Sequence, residues 1–279
     1  MGDPVPENSP TPDANLAPRA LLIDPDTLLR KSWEKALRAE GFAVTGTPEA
    51  DAGLILTASF KPDIIVLDLR LRSIGTHRAA YFAEIRSLTD AYLIGVSDQS
   101  DELERVRLLR AGADDVVSKP ISTIELAARL RALLRRPRRI TEGVILGPPP
   151  TVMRYGPLHI DLGRRQARIN DIVVNLTRIE FDLLGHLCQH PRDVSTREEL
   201  LRTIWGEHWV GDDHVVDVHL SNLRRKLHHR APETSFIATV RGVGFRLSDE
   251  LLRAPSEASE TPTEPVTPIN GDNHPGTST

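Results

Sequence analysis

Five short apolar runs constrain this chain more than any other feature. They are ALLI before Asp24, FAVT at 42–45, DIIVLD at 63–68, AYLIGV at 91–96 and DVVS at 115–118. Each is apolar on both faces, which suits a strand in the middle of a parallel sheet covered on both sides. The segments between carry helical spacing: Leu29, Trp33, Ala36 and Leu37 run to Gly41; Leu103, Val106, Leu108 and Leu109 run to Gly112; Ile124, Leu126, Leu130 and Leu133 follow Ser122. Five strands alternating with helices predict a doubly wound α/β domain with a five-stranded parallel sheet.

Chemistry in such a sheet gathers beyond the carboxyl ends of the strands. Asp24 and Asp26 follow the first run, Asp68 ends the third, Ser97 follows the fourth, and Lys119-Pro120 follows the fifth. Carboxylates, a hydroxyl and an ammonium are therefore expected on one rim.

The rest of the chain divides by composition. Residues 1–18 and 250–279 are acidic, rich in Pro, Ser, Thr and Glu, and without apolar periodicity, so both are expected to be disordered tails. The stretch RPRRITEGVILGPPPT, with three successive prolines, reads as a linker over 137–151 between a first domain at 19–136 and a second at 152–249. No stretch approaches the ~20 apolar residues of a membrane span, and the beginning is not signal-like, so a cytoplasmic protein is expected. The net charge of −4 does not by itself point to nucleic acid, and the basic charge has to be judged by where it clusters. Cys188, the one cysteine, shares a helical stripe with Phe181 and Leu184 and reads as a buried thiol.

The second domain opens with short strand-like pieces, one turning through Asn170-Asp171, and closes on FIATVRGVGFRL, a hairpin around Gly242-Val243-Gly244. Between them, Thr177 with Glu180 and Thr196 with Glu199 are capping boxes that start two helices. A third helix, DDHVVDVHLSNLRRKL, starts at Asp212 and Asp213 and carries two stripes. Val216, Leu220, Leu223 and Leu227 form a core face, while His214, Val218, Ser221, Asn222 and Arg225 form a second face with little reason to be buried. Asn pairs with adenine, Val meets a thymine methyl, and Ser bonds several base edges. His219, Arg224 and Lys226 flank that face and suit phosphates. Cations at a helix C-terminus also complement its dipole without any DNA. Three helices and a terminal hairpin describe an α+β winged helix-turn-helix.

PDIIVLDLRL, then Ser97, then LLRAGADDVVSKPIS together resemble the flavodoxin-like receiver domain of two-component response regulators, over essentially all of 19–136. The resemblance implies that Asp68 accepts a phosphoryl group from a sensor histidine kinase, that Ser97 and Lys119 contact the phosphoryl oxygens, and that the Lys119-Pro120 bond is cis. It also implies Mg²⁺ held by two adjacent acids after the first strand and by Asp68. Asp24 matches the first acid, but Pro25 falls on the second and offers no ligand. Asp26, one residue on, is either a replacement ligand or a plain helix cap. Val116 stands where the family has an aromatic switch residue and Arg72 where it often has proline. Arg70 and Arg72 are candidates to supply positive charge near Asp68 in place of a metal, or are solvated. The expectation is a weakened Mg²⁺ site and weak or dispensable phosphorylation at Asp68.

VVDVHLSNLRRKL and TVRGVGFR resemble the effector domain of OmpR/PhoB-type regulators, which implies a recognition helix carrying Val218, His219, Ser221, Asn222, Arg224 and Arg225, with Arg241 reaching the minor groove from the wing. The expected partners are double-stranded DNA with tandem half-sites, RNA polymerase, and a second copy of the chain. The family's dimer face is implied at Arg105, Asp115, Glu125 and Arg129, although Arg110 opposite Arg131 sets two like charges where opposite ones are usual. Ser122 with Glu125 also reads as a capping box.

Two rival readings stand beside this one. Asp24-Pro25-Asp26 resembles the opening of a haloacid-dehalogenase phosphatase, but Leu28 departs from that pattern and Asp114 and Asp115 precede Lys119 instead of following it. A regulator gated by a protein or small ligand without phosphate differs only in its input. The expectation is a transcription regulator and not an enzyme.

Overall fold

The computed structural model describes residues 17–72, 74–75, 77–98, 101–134, 152–206 and 213–253. The expected linker and most of both expected tails lie outside the described residues, as does Asp212, but residues 250–253, expected in the disordered tail, instead form helix that buries Leu251.

The first unit runs β1 (Arg19–Ile23), α1 (Thr27–Ala39), β2 (Ala43–Thr47), α2 (Ala50–Phe60), β3 (Ile64–Asp68), α3 (Arg78–Leu88), β4 (Tyr92–Ser97), α4 (Glu102–Ala111), β5 (Asp115–Ser118) and α5 (Thr123–Leu134). Its five strands are parallel in the order β2-β1-β3-β4-β5. β1, β3 and β4 are buried almost throughout, which is why their sequences lack a polar alternation. The order reverses at β1, and Asp24 and Asp68 leave the neighbouring strands β1 and β3 on the carboxyl side, where such sheets bind their ligands. α1 covers one face by burying Trp33 and Leu37, so that Leu37→Ala should cost about 2–5 kcal/mol.

The second unit opens with a four-stranded antiparallel sheet, β6 (Val152–Tyr155), β7 (Leu158–Asp161), β8 (Gln166–Ile169) and β9 (Ile172–Val174). Asn170 and Asp171, both at positive φ, make the tight β8–β9 turn. Then come α6 (Arg178–Gln189), β10 (Ser195–Thr196), α7 (Arg197–Trp205), α8 (His214–Arg230), β11 (Ile237–Val240), β12 (Gly244–Leu247) and α9 (Asp249–Arg253). Thr177 and Glu180 form the full reciprocal capping box of α6. At α5, Ser122 caps the Glu125 amide at 3.0 Å, but the Glu125 carboxylate turns to Arg129 at 2.9 Å, so the expected box is half formed. Cys188 is fully buried in α6.

The hairpin β11–β12 turns at Gly242 (φ +73°), and β12 also pairs with β10. A Cβ on Gly244 would lie 2.0 Å from the Ser195 carbonyl oxygen, which is backbone and cannot yield without breaking the β10–β12 pair. Gly244→Ala is therefore expected to destabilise the second unit by about 1–3 kcal/mol, read as a lower melting temperature.

Candidate functional site

The acid pocket forms where β1, β3 and β5 end. Asp24 and Asp68 are both 1% exposed. Lys119, after the cis Lys119-Pro120 bond, reaches Asp68 Oδ2 and lies 3.4 Å from Asp24 Oδ2. Ser97 ends β4 and is buried beside them. Of the two candidate arginines, Arg70 enters the pocket and Arg72 stays exposed. The Arg70 Nη2 is 2.9 Å from Asp68 Oδ2 and 3.9 Å from Asp24 Oδ1, its Nε is 3.2 Å from both Asp68 oxygens, and its backbone N donates to Asp68 Oδ1 at 2.6 Å. Asp98, which the sequence pattern did not single out, meets Arg70 Nε at 3.2 Å. Its position one residue past the end of β4 was the available signal.

Two buried carboxylates thus face two cations. Burial raises the Asp68 carboxyl, but hydrogen bonds from Arg70 and Lys119 outweigh it and leave it below the usual range. Burial dominates at Asp24 and leaves it raised, with Asp68 adding to the effect.

The residues present do not fit Mg²⁺. Pro25 has no ligand atom. The Asp26 side chain accepts the Leu28 and Leu29 amides at 2.9 and 3.0 Å as the cap of α1, while its own amide occupies Asp24 Oδ1 at 2.7 Å. Among the described residues no three His, Cys, Asp or Glu side chains are grouped to hold a metal.

The helix α8, expected to read DNA, is placed differently from the sequence expectation. Val216, Leu220, Leu223 and Leu227 are buried in their own unit as expected. His219 and Asn222, expected on an open face, are only 1% and 3% exposed because α8 packs against α4 of the first unit. Asn222 Nδ2 donates to the Leu109 carbonyl at 3.1 Å, and His219 Nε2 donates to the Asp114 carbonyl at 3.1 Å. The other Asn222 atom, Oδ1, accepts from Arg225 at 3.2 Å. Arg178 at the start of α6 adds a 3.5 Å ion pair to Asp90 and lies 5.1 Å over the Tyr92 ring. Periodicity within one helix reports its own core and is blind to a second unit that covers its other face.

Ser221, Arg225 and Arg241 are exposed and Val218 is half-buried. Arg224, expected at phosphate, holds the wing instead: it donates to the Ile237 carbonyl at 3.2 Å and the Thr239 hydroxyl at 2.7 Å, and lies 5.7 Å over Phe245. Lys226 pairs with buried Glu180 at 2.6 Å.

The face implied for dimerisation, on α4, β5 and α5, is the face α8 and α7 contact. Arg129 lies 3.5 Å from Asp115 and 2.9 Å from Glu125 within one chain. Burial pushes Asp115 up to about 7 against the pull of Arg129. Arg131, expected opposite Arg110, pairs with Glu40 at 2.7 Å.

Residues 20–131 match the response regulator receiver domain, and residues 171–247 match the transcriptional regulatory protein C-terminal domain. The chain is 37% identical over 232 residues to the transcriptional regulatory protein PrrA of Mycobacterium leprae, covering 83% of this chain and 96% of that protein. It belongs to the OmpR/PhoB-type response regulators. This regulator is also 35% identical over 238 residues to the transcriptional regulatory protein BaeR of Escherichia coli, covering 85% of this chain and 95% of the relative. A solved mutant of RitR shares its fold at a TM-score of 0.65 and 24% identity, with 83% of this chain and 99% of that one covered. The regulator is a DNA-binding transcriptional regulator of the two-component type. Among the described residues no helix is long and apolar enough to cross a membrane.

Proposed function

We propose that this regulator controls transcription through a reading helix that its own receiver unit covers until a signal separates the two. The observation that carries this is the use of Asn222 and His219 on receiver carbonyls: the same polar groups cannot bond receiver backbone and DNA at once. Released, α8 would lie in the major groove with Val218, Ser221, Asn222 and Arg225 at base edges and Arg241 of the wing in the adjacent minor groove. Two copies would dock on half-sites about one helical turn apart, paired through Arg105, Asp115, Glu125 and Arg129. Docking and pairing use one face of the receiver, so release also frees the dimer surface. The released pair would act with RNA polymerase, in the cytoplasm, without enzymatic activity of its own.

A selection from a randomised DNA library tests the output. Asn222→Ala and Val218→Ala are expected to relax the sequence preference at one position of each half-site. An Asn222→Ala preference identical to the wild type's would remove Asn222 from the reading face. Binding should weaken steeply with added salt, and Arg241→Ala should lower that slope by about one unit if it neutralises one phosphate.

The input is either a sensor histidine kinase acting on Asp68 or a protein or small ligand acting without phosphate. The Pro25 and Arg70 environment of Asp68 favours weak phosphorylation. Intact mass after acetyl phosphate, with Asp68→Ala and Pro25→Asp variants, decides this. A full single addition to the wild type, absent in Asp68→Ala, would establish Asp68 as a competent acceptor.

A further inference from the structure

We propose that Arg70 is a built-in counter-cation that takes the place of the divalent ion in the receiver's acid pocket, so that a metal-free ion-pair cluster sets the resting state of this regulator. The proposal rests on the reading of the first unit as a receiver and names how its site is held.

Asp24 and Asp68 are buried carboxylates, and two such groups side by side need compensation. Lys119 supplies one positive charge and Arg70 the other, with Asp98 at the outer edge of the guanidinium. A divalent ion entering here would set two more charges beside the two cations that already face Asp24 and Asp68, and the guanidinium would have to leave. The oxygens tell the same story. Asp68 Oδ1 accepts from the Arg70 amide and Nε, and Asp68 Oδ2 accepts from Lys119 and from Arg70 Nε and Nη2. Asp24 Oδ1 accepts from the Asp26 amide, and Asp24 Oδ2 faces Lys119.

Pro25 and Arg70 explain one another. Where a third acid stood beside Asp24, an arginine would face three pocket carboxylates and a metal would compete for them. With proline there, one guanidinium and one ammonium balance the pocket. The fork of the guanidinium also suits a carboxylate better than an ammonium would, because its Nε and Nη2 together reach both oxygens of Asp68. The Arg70 side chain is 42% exposed, so it reaches the pocket from the solvent side and covers Asp68 toward any incoming phosphoryl donor.

The experiment titrates the full chain with Mn²⁺ and counts free ion by electron paramagnetic resonance, a readout independent of phosphorylation. Wild type is expected to bind no Mn²⁺ at millimolar concentration, and Pro25→Asp/Arg70→Met to bind at least ten times more tightly than Pro25→Asp alone. Stoichiometric binding by the wild type would overturn the counter-cation and leave the receiver reading intact. Equal affinities of the single and double variants would overturn it likewise. If the double variant bound none, Arg70 would not be what keeps the ion out, and the proposal would fall while the receiver assignment stood. A melting-temperature cycle with Arg70→Met and Asp68→Asn covers any variant that folds poorly. Arg70→Met is expected to lower the melting temperature of the wild type and to have a much smaller effect in Asp68→Asn, whereas additive changes would show that the two residues are not coupled.

Discussion

Cutting the chain between α5 and β6 is expected to tighten its binding to a DNA carrying one half-site by ten- to a hundred-fold. The covered reading helix sets the direction. On the proposed function, DNA and the receiver would compete for Asn222 and His219, which the receiver backbone holds, so the apparent affinity would be the affinity of the open form multiplied by its population. Two interdomain hydrogen bonds contribute about 1 kcal/mol each, and the Arg178 contacts to Asp90 and Tyr92 somewhat less. A closed form favoured by about 1.4–2.8 kcal/mol corresponds to an open fraction of one in ten to one in a hundred. What holds the units together at nanomolar protein is the tether, which keeps the receiver at an effective concentration of about a millimolar. Cleavage removes that concentration without altering a single contact. A protease site placed between Leu134 and Val152 allows affinity to be compared before and after digestion of one sample. The single half-site matters, since two half-sites would add a dimer contribution that cleavage also removes. Unchanged affinity would mean that the open form already dominates and that the docked arrangement does not restrain DNA binding.

How much of this was legible in the sequence depends on what each residue answers to. β1, β3 and β4 were readable because a strand buried on both faces has no polar alternation, and the ends of those strands and of β5 gave Asp24, Asp68, Ser97 and Lys119 their common rim. Pro25 was readable as a lost ligand because its consequence is local. Arg70 and Arg72 were not separable, because two residues of one type in the same loop differ only in the direction the loop sends them. Asp98 escaped because its role depends on Arg70, a partner from another strand. The reading helix shows the limit most clearly. Its core stripe follows from the 3.6-residue period, whereas the burial of His219 and Asn222 follows from where α4 lies, more than a hundred residues earlier. Arg224 was assigned to DNA on its charge and its place beside the second face of α8, and the Ile237 carbonyl and Thr239 hydroxyl were closer partners.

Acidification is expected to open the docked form, through His219. Its Nε2 hydrogen is given to the Asp114 carbonyl, which fixes the neutral tautomer and leaves Nδ1 buried without a partner, while Trp205 lies 5.6 Å from the ring. Protonation at Nδ1 would bury a cation. Burial accordingly holds His219 below its usual value of 6.5; Asp114 and Glu180 pull it upward, and Arg86 pushes it further down. The sign follows from comparing the two states. Above pH 6.5 the ring is neutral in both and docking is unaffected. As the pH falls below that value the open form binds a proton that the docked form resists, so docking weakens until the pH passes the depressed value. The shift toward the open form is therefore expected to grow as the pH falls from 6.5 toward about 5.5. Because Cys188 is buried, cysteines introduced at Glu84 and His229 can be labelled selectively, and energy transfer between the units then reports opening directly. Gln in place of His219 retains a donor for the Asp114 carbonyl but cannot titrate. His219→Gln should therefore keep the docked signal at about pH 7.5 and lose its fall toward about pH 5.5. A pH response that survives in His219→Gln would move the titrating group elsewhere in the interface, and no response in the wild type would show that the docked form accommodates the imidazolium.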